Sequence, residues 1–180
     1  MTAPVRHDAR MDRALLLTGP LGSGKTSVAV EVGRLLDEAG APNAVVDLDW
    51  LCWVGPDLHG DRLLGVLADN LAAVTTRFRA EGVESFVLAR AVVSAHEVDA
   101  LRAALGGAAL TVVRLDAPSE VTTTRLAVRG DDQDLAEHAR LAAVVAALPV
   151  DLVVGTHGRP VRDAAREVLS RAGWGVGAGG

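Results

Sequence analysis

The chain has 180 residues, of which 49% are hydrophobic and 23% are charged, and this length and composition predict one compact domain rather than two. The formal net charge is −5 at pH 7 and the cationic residues are spread along the chain, which argues against a basic face that binds nucleic acid. Apolar stretches such as residues 141–150 are shorter than the roughly 20 residues of a membrane-spanning helix, so no membrane partner is expected.

Short apolar runs alternate with longer stretches of helical spacing. The predicted strands span residues 14–18, 44–47, 85–89, 110–115 and 152–155. The predicted helices span residues 26–39, 61–80, 94–105, 118–128, 135–147 and 160–172. Because the strands are continuous apolar runs, we expect them to be buried on both faces, as in a parallel sheet. The pattern predicts a single α/β domain with a five-stranded, mainly parallel sheet flanked by helices on both faces.

The two ends of the chain and its single cysteine bear on the domain bounds and on the location of the protein. Residues 1–12 are polar, without the apolar segment of a signal peptide, and residues 173–180 are glycine-rich. We expect both ends to be flexible and the domain to span residues 13–172. One cysteine, Cys52, allows no internal disulfide and is typical of a reducing compartment, so a cytoplasmic location is expected.

A glycine-rich segment connects the first predicted strand to the first predicted helix. It reads Gly19, Pro20, Leu21, Gly22, Ser23, Gly24, Lys25 and Thr26. The segment fits the Walker A pattern G-x-x-x-x-G-K-[ST] in the context that this pattern requires. Its backbone N–H groups and the helix N-terminus attract phosphate, with Lys25 reaching the β- and γ-phosphates and the Thr26 hydroxyl binding Mg²⁺. The alternative is a glycine-rich turn that binds nothing, but Lys25 is the only lysine of the chain, which favours a chemical role.

Several further features accompany the Walker A loop. The second strand runs into Asp47 and Asp49, Arg125 and Arg129 lie one helical turn apart, and the fifth strand runs into Thr156. Over residues 13–172 the chain thereby resembles the small-molecule kinases of the nucleoside-monophosphate-kinase-like fold, and among them the shikimate, gluconate, adenylylsulfate and chloramphenicol kinases. The resemblance implies ATP and Mg²⁺ as cofactors. GTPases fit less well because an Asn-Lys pair is missing, and AAA+ machines because the third strand does not end in Asp-Glu.

Asp47 and Asp49 are the candidate carboxylates of the site. Side chains two residues apart on a strand project to the same side, here toward the crevice at the carboxyl edge of the sheet. We expect Asp47 to hold Mg²⁺ through a bound water, and Asp49 to accept the proton of a substrate hydroxyl. The alternative is that one or both cap the turn that follows.

Three residues in the C-terminal half are assigned to the nucleotide by the resemblance. It implies that Arg125 lies against the adenine or the phosphates and that Arg129 neutralises the transferring group. The segment 129–134 takes the place of the lid but is acidic, whereas the lids of related kinases are often rich in arginine. The alternative is that both arginines are solvated and paired with nearby aspartates. Thr156 lies where the resemblance places the adenine-facing loop.

The acceptor side is expected between the second strand and the next helix. Trp50 and Trp53 can form a wall against a planar or apolar acceptor, or they can seal the helix onto the sheet. Arg62 and Arg90 are candidates for binding an anionic acceptor group, with Arg90 favoured because it follows the third strand. The five histidines are isolated, so no zinc site is expected.

The sequence as a whole predicts an ATP-dependent phosphotransferase that moves the γ-phosphate of Mg-ATP to a hydroxyl or phosphate group of a small molecule. A second reading is an ATP-binding regulatory module that transfers nothing, which the acidic segment and the missing third-strand aspartate favour. A third is a nucleoside monophosphate kinase, for which no residue identifies a base. The acceptor and the oligomeric state are left open.

Overall fold

The computed structural model describes residues 12–55, 57–129 and 135–175. Its strands are β1 (Arg13–Thr18), β2 (Asn43–Asp47), β3 (Ser85–Ala89), β4 (Ala109–Asp116) and β5 (Leu152–Gly155). Its helices are α1 (Lys25–Glu38), α2 (Leu48–Leu51), α3 (Gly60–Ala80), α4 (Ala95–Ala104), α5 (Ser119–Arg129), α6 (Leu135–Ala147) and α7 (Val161–Arg171). Every predicted element is present within one residue of its predicted bounds, and only the short α2 was not predicted.

The five strands form one sheet in the order β2-β3-β1-β4-β5, with every pair parallel. The predicted parallel sheet is confirmed, and no antiparallel strand joins it within the described residues. Because β2, β3 and β1 are neighbours, the segments that follow them leave the sheet side by side at its carboxyl edge. This is the edge at which open α/β sheets bind ligands.

Helices cover both faces of the sheet, as predicted. Leu15 and Leu17 of β1 point into the layer beneath α1 and α7. Ala14 and Leu16 point into the opposite layer, beneath α3 and α4. All four side chains are fully buried, because successive residues of a strand alternate between its faces and both faces are covered here. Among the described helices, none has the length and apolar character needed to cross a bilayer.

Packing extends beyond both ends of the predicted domain. The Asp12 carboxylate pairs with Arg79, and the Asp12 carbonyl accepts a hydrogen bond from the backbone N–H of Ala109 at 2.9 Å. Trp174 is only 4% exposed and packs into the layer of α1 and α7. The Arg13 guanidinium lies 4.3 Å from the centre of its ring. Asp12 and Trp174, which lie just outside the predicted domain bounds, are therefore both in contact with the rest of the domain.

We expect Trp174→Ala to lower the free energy of unfolding by about 3–5 kcal/mol, because it removes a large aromatic side chain from the core. Trp53→Ala is the matched control, since the Trp53 side chain is 75% exposed and its loss is expected to change stability by no more than about 0.5 kcal/mol. Urea denaturation of the two variants measures the difference. Equal stabilities would show that the Trp174 ring adds nothing to the core.

Candidate functional site

The segment from Gly19 to Thr26 forms a tight turn between β1 and α1. Gly19, Gly22 and Gly24 have φ values of 146°, 79° and 93°. A Cβ atom on Gly19 would lie 2.5 Å from the carbonyl oxygen of Leu115, and one on Gly22 would lie 2.8 Å from that of Thr122. Glycine is therefore required at both positions by backbone conformation and by close approach to β4 and α5.

Two polar side chains of this loop fit a bound phosphate group. The Lys25 ammonium donates hydrogen bonds to the carbonyl oxygens of Gly19 and Pro20, each at 3.0 Å, and so lies along its own loop. The Ser23 hydroxyl is fully buried, and it is the one buried side-chain polar atom among the described residues that has no hydrogen-bond partner. Because an unsatisfied buried hydroxyl is costly, a phosphate oxygen in the loop would supply the acceptor that Ser23 lacks.

The loop is held from outside by two residues that the sequence assigns to nucleotide binding. Arg125 Nη1 donates to the carbonyl oxygen of Gly22 at 3.0 Å, and the Thr156 hydroxyl donates to that of Ser23 at 2.9 Å. Both residues also line a cavity of about 240 Å³ beside the loop. Arg159, which sequence reasoning did not single out, lines the same cavity and is paired with Glu167. Its position three residues after Thr156, in the segment that follows β5, is the signal that could have identified it.

Asp47 joins the Walker A loop to the end of β2. Its Oδ2 accepts a hydrogen bond from the Thr26 hydroxyl at 2.9 Å, and its Oδ1 accepts one from the backbone N–H of Asp49 at 3.1 Å. The second bond caps α2. Asp47 therefore caps this helix with one oxygen and contacts Thr26 with the other. Hydroxyl and carboxylate oxygens are the ligands that Mg²⁺ prefers, and this pair of side chains fits that ion.

The expectation that the extended strand continues through Asp49 is wrong. The chain leaves the extended conformation directly after Asp47 and turns into α2, which contains Asp49. The cap that Asp47 supplies is the physical reason, because a side-chain acceptor for the first free N–H groups favours the start of a helix. Asp49 still lies at the carboxyl edge, but α2 directs it toward the end of β3.

Asp49 is bound there by Arg90, the residue that follows β3. Arg90 Nη1 donates to Asp49 Oδ1 at 2.6 Å, and Arg90 Nε donates to Glu97 Oε1 at 2.6 Å. Glu97 is 6% exposed, and its other oxygen accepts from the backbone N–H of Val93 at 3.0 Å. The Arg90 guanidinium is thus held between two carboxylates. Glu97 was missed by sequence reasoning, although the S-x-x-E pattern that begins at Ser94 marks a helix start with a returning carboxylate.

The environment of Asp49 changes its acidity. Partial loss of water around the carboxylate raises the pKa of Asp49 above its ordinary value, the charge of Asp47 raises it further, and attraction to Arg90 opposes both. The side chain keeps 58% of its surface exposed, so a ligand can reach it. A carboxylate with a raised pKa in an accessible position is suited to accept a proton.

The remaining predicted site residues are two tryptophans and two arginines. Trp50 and Trp53 are 70% and 75% exposed and stack on each other, with ring centres 5.0 Å apart, so they do not seal a helix onto the sheet. Arg62 lies exposed in the first turn of α3 and forms no ion pair with any described residue. Arg129 ends α5, but its side chain and residues 130–134 lie outside the described part of the chain.

Comparison with known proteins gives matches among solved structures. No protein-family model and no curated protein matches the sequence. A sugar kinase from a Janibacter species has a TM-score of 0.67 at 23% identity, covering 90% of this chain and 95% of that one. The APS kinase of Mycobacterium tuberculosis, in complex with AMPPNP and APS, has a TM-score of 0.61 at 25% identity, covering 91% and 98%. The shikimate kinase of Acinetobacter baumannii, in complex with shikimate, has a TM-score of 0.60 at 17% identity, covering 88% and 91%.

The chain has the P-loop kinase fold. Each of these structures is matched over nearly its whole length by nearly the whole of this chain. The fold that the Walker A loop and its accompanying features imply is therefore confirmed. At these identities the likeness establishes the fold, and the chemistry has to be argued from the residues of the site.

In this P-loop, we expect Gly22→Ala to weaken the binding of Mg-ATP by at least about tenfold, because the added Cβ meets the backbone of α5 and strains a positive φ. Gly82→Ala is the matched control. Gly82 also has a positive φ, of 88°, but a Cβ there meets nothing within 4 Å. Isothermal titration calorimetry compares the two variants, and equal affinities would show that the approach of Gly22 to α5 does not matter for binding.

Proposed function

We propose that this protein is an ATP-dependent phosphotransferase that moves the γ-phosphate of Mg-ATP to a hydroxyl group of a small molecule. The observation that carries the proposal is a chain of contacts at one edge of the sheet. Thr26 of the P-loop bonds to Asp47, Asp47 caps the helix that carries Asp49, and Asp49 binds Arg90. A phosphate-binding loop and an accessible carboxylate are thereby adjacent. The solved structures that share the fold include kinases of small molecules, which supports the same class of reaction.

The nucleotide is assigned to the P-loop and the cavity beside it. The loop N–H groups, the Lys25 ammonium and the Ser23 hydroxyl bind the phosphates. The base occupies the cavity of about 240 Å³, where the Arg125 guanidinium can lie against its ring. This placement agrees with the lining of the cavity, because Gly22, Ser23 and Gly24 of the loop form one of its walls.

Thr26 and Asp47 are the residues that would hold magnesium, the threonine directly and the aspartate through a water molecule. Their side-chain oxygens are already neighbours, at 2.9 Å. When bound, the ion neutralises charge on the phosphates. Arg129, at the end of α5, is proposed to add a positive charge near the γ-phosphate.

Asp49 is proposed to act as the general base. Arg90 binds Oδ1 of this carboxylate, which leaves Oδ2 for the acceptor hydroxyl. The hydroxyl proton passes to Asp49 while the hydroxyl oxygen forms a bond to the γ-phosphorus. The bond between that phosphorus and the β–γ bridging oxygen breaks, and ADP leaves with the electron pair. Arg90 is a positioning residue in this scheme, because it orients Asp49 without contacting the reacting atoms.

One observation favours a second candidate function, an ATP-binding module without transfer. The Asp49–Arg90–Glu97 cluster resembles a structural ion-pair network, and such networks also perturb pKa values. In that case the three residues would only fasten α2 and α4 to the end of β3. The module would bind Mg-ATP and hydrolyse it slowly, with no phosphorylated acceptor.

Radiolabelled ATP separates the two candidates. Purified protein is incubated with ATP labelled at the γ-phosphate and with sugars, nucleosides, shikimate-like acids, aminoglycosides or phenicols. A labelled acceptor that requires Mg²⁺ and the wild-type Lys25 supports the phosphotransferase. Labelled inorganic phosphate alone, at the same rate with and without every acceptor, supports the binding module.

A further inference from the structure

Two exposed tryptophans adjoin the proposed base. Trp50 directly follows Asp49 in α2, and its ring stacks on that of Trp53 with an angle of 16° between the planes. We call this pair the tryptophan shelf. Its two rings are 70% and 75% exposed, although indole is a side chain that gains much from burial. Val54, the residue after Trp53, is also exposed, at 42%. Such a surface beside a reactive carboxylate is suited to a flat, apolar face of a ligand.

The charges next to the shelf disfavour an anion. Arg90 is the cation that contacts Asp49, and its single positive charge is shared between Asp49 and Glu97, each 2.6 Å away. The three side chains together carry a net charge of −1, from one guanidinium and two carboxylates. The charges of Asp47 and Lys25 act on Asp49 as well, and because they are opposite in sign the sum over these five side chains is still −1. A carboxylate or phosphate on the acceptor would therefore meet a net negative surface.

An anionic acceptor would also compete with the existing ion pairs of Arg90. Arg90 Nε and Nη1 already bind Glu97 and Asp49, so an anion at either nitrogen must displace one of these carboxylates, and the buried Glu97 would then lose its compensating charge. Sites that recognise anions present arginines whose donors are directed at the ligand. Here two of the three guanidinium nitrogens of Arg90, Nε and Nη1, are directed at residues of the protein. The other candidate, Arg62, has no described contact with Asp49, Arg90 or the shelf.

We propose that the acceptor is an uncharged molecule whose hydroxyl group lies beside a flat, apolar ring face, and that this face binds on the shelf of Trp50 and Trp53. The ring is either the C–H face of a sugar or an aromatic ring, since both offer the same chemistry to indole. The inference rests on the proposed function, because it names the acceptor class of the same site. Asp49 Oδ2 receives the hydroxyl, and the shelf orients the ring.

Calorimetric titration in the presence of Mg-AMPPNP tests the binding. The probes are matched pairs that differ by one carboxylate: D-glucose and D-glucuronate, D-galactose and D-galacturonate, and benzyl alcohol and its para-carboxylate. We expect the neutral member to bind at least about tenfold more tightly than its carboxylate partner, either in the two sugar pairs or in the aromatic pair. Trp50→Ala and Trp53→Ala are each expected to weaken that binding by about tenfold. Val144→Ala, which alters an exposed valine of α6, is the control and should change nothing.

Three outcomes of these titrations would overturn this inference. The first is tighter binding of the carboxylate member in the pairs, and the second is unchanged affinity in both tryptophan variants. The third is the absence of binding by every neutral probe at about 10 mM, a concentration well above a millimolar dissociation constant. Sedimentation analysis adds a fourth possibility: a dimer that Trp50→Ala or Trp53→Ala dissociates would assign the shelf to a second copy of the chain, which also overturns it.

A parallel reaction with radiolabelled ATP distinguishes failure of this inference from failure of the proposed function. If neutral probes bind on the shelf but never receive phosphate, the proposed phosphotransferase function is contradicted and the proposed ligand class is supported. If phosphate is transferred to the carboxylate members instead, the phosphotransferase function is supported and the proposed ligand class is contradicted. Label on the neutral probes, lost in the tryptophan variants and kept in Val144→Ala, supports both.

Discussion

Lys25→Ala is expected to weaken the binding of Mg-ATP by about a hundredfold and to reduce phosphoryl transfer by about a thousandfold or more. The ammonium group is the charged donor of the P-loop, and it donates hydrogen bonds to the carbonyl oxygens of Gly19 and Pro20 in the same loop. The fold should survive, with the free energy of unfolding changed by no more than about 1 kcal/mol. Calorimetry measures the affinity, and urea denaturation measures the stability.

Lys25→Arg is the matched control for this change. It keeps the positive charge but replaces a compact ammonium with a planar guanidinium, which does not fit a loop shaped around lysine. We expect part of the nucleotide affinity to return while transfer stays strongly reduced. Wild-type affinity in Lys25→Ala would contradict the assignment of the P-loop as the nucleotide site.

Asp49→Asn is expected to reduce turnover by about 10²- to 10⁴-fold, the usual contribution of a general base, while the dissociation constant for Mg-ATP changes by less than about twofold. The amide keeps the shape of the side chain and a hydrogen-bond acceptor for Arg90, but it cannot accept the hydroxyl proton. Steady-state kinetics with an acceptor that the wild-type protein phosphorylates measure turnover, and calorimetry with Mg-ATP measures the dissociation constant. Full turnover in this variant would remove the assignment of Asp49 as the base.

The pH dependence of turnover gives an independent test of the same residue. A base must be deprotonated to work, so the rate falls as the pH drops through the pKa of Asp49. Because that pKa is raised above 3.8 by partial loss of water, the acid limb of the profile should lie above the ordinary range of aspartate. Arg90→Gln removes the attraction that opposes the shift, and should move the limb to higher pH. An acid limb that stays in place in Arg90→Gln would assign it to another group.

The helices, strands and P-loop of this protein were predictable because their signals are local. Continuous apolar runs such as residues 85–89 read as buried strands, and the glycines of the Walker A segment mark a turn that other residues cannot form. The expected positions of Arg125 and Thr156 came from the resemblance, and both line the cavity beside the loop. The short helix α2 was missed because four residues are too few for a periodic signal.

The amino-acid sequence by itself determined the fold class and the phosphate-binding loop, because periodicity, glycine positions and one lysine act over a few neighbouring residues. Only the tertiary structure decided how the proposed acceptor side is built. Arg90 meets Asp49 across 41 positions of sequence, and the partner that balances it, Glu97, lies on another helix. Whether an arginine binds a ligand or a carboxylate of its own chain depends on which strands become neighbours. The order β2-β3-β1 is a long-range outcome of folding that no local pattern encodes, and it brings these charges together.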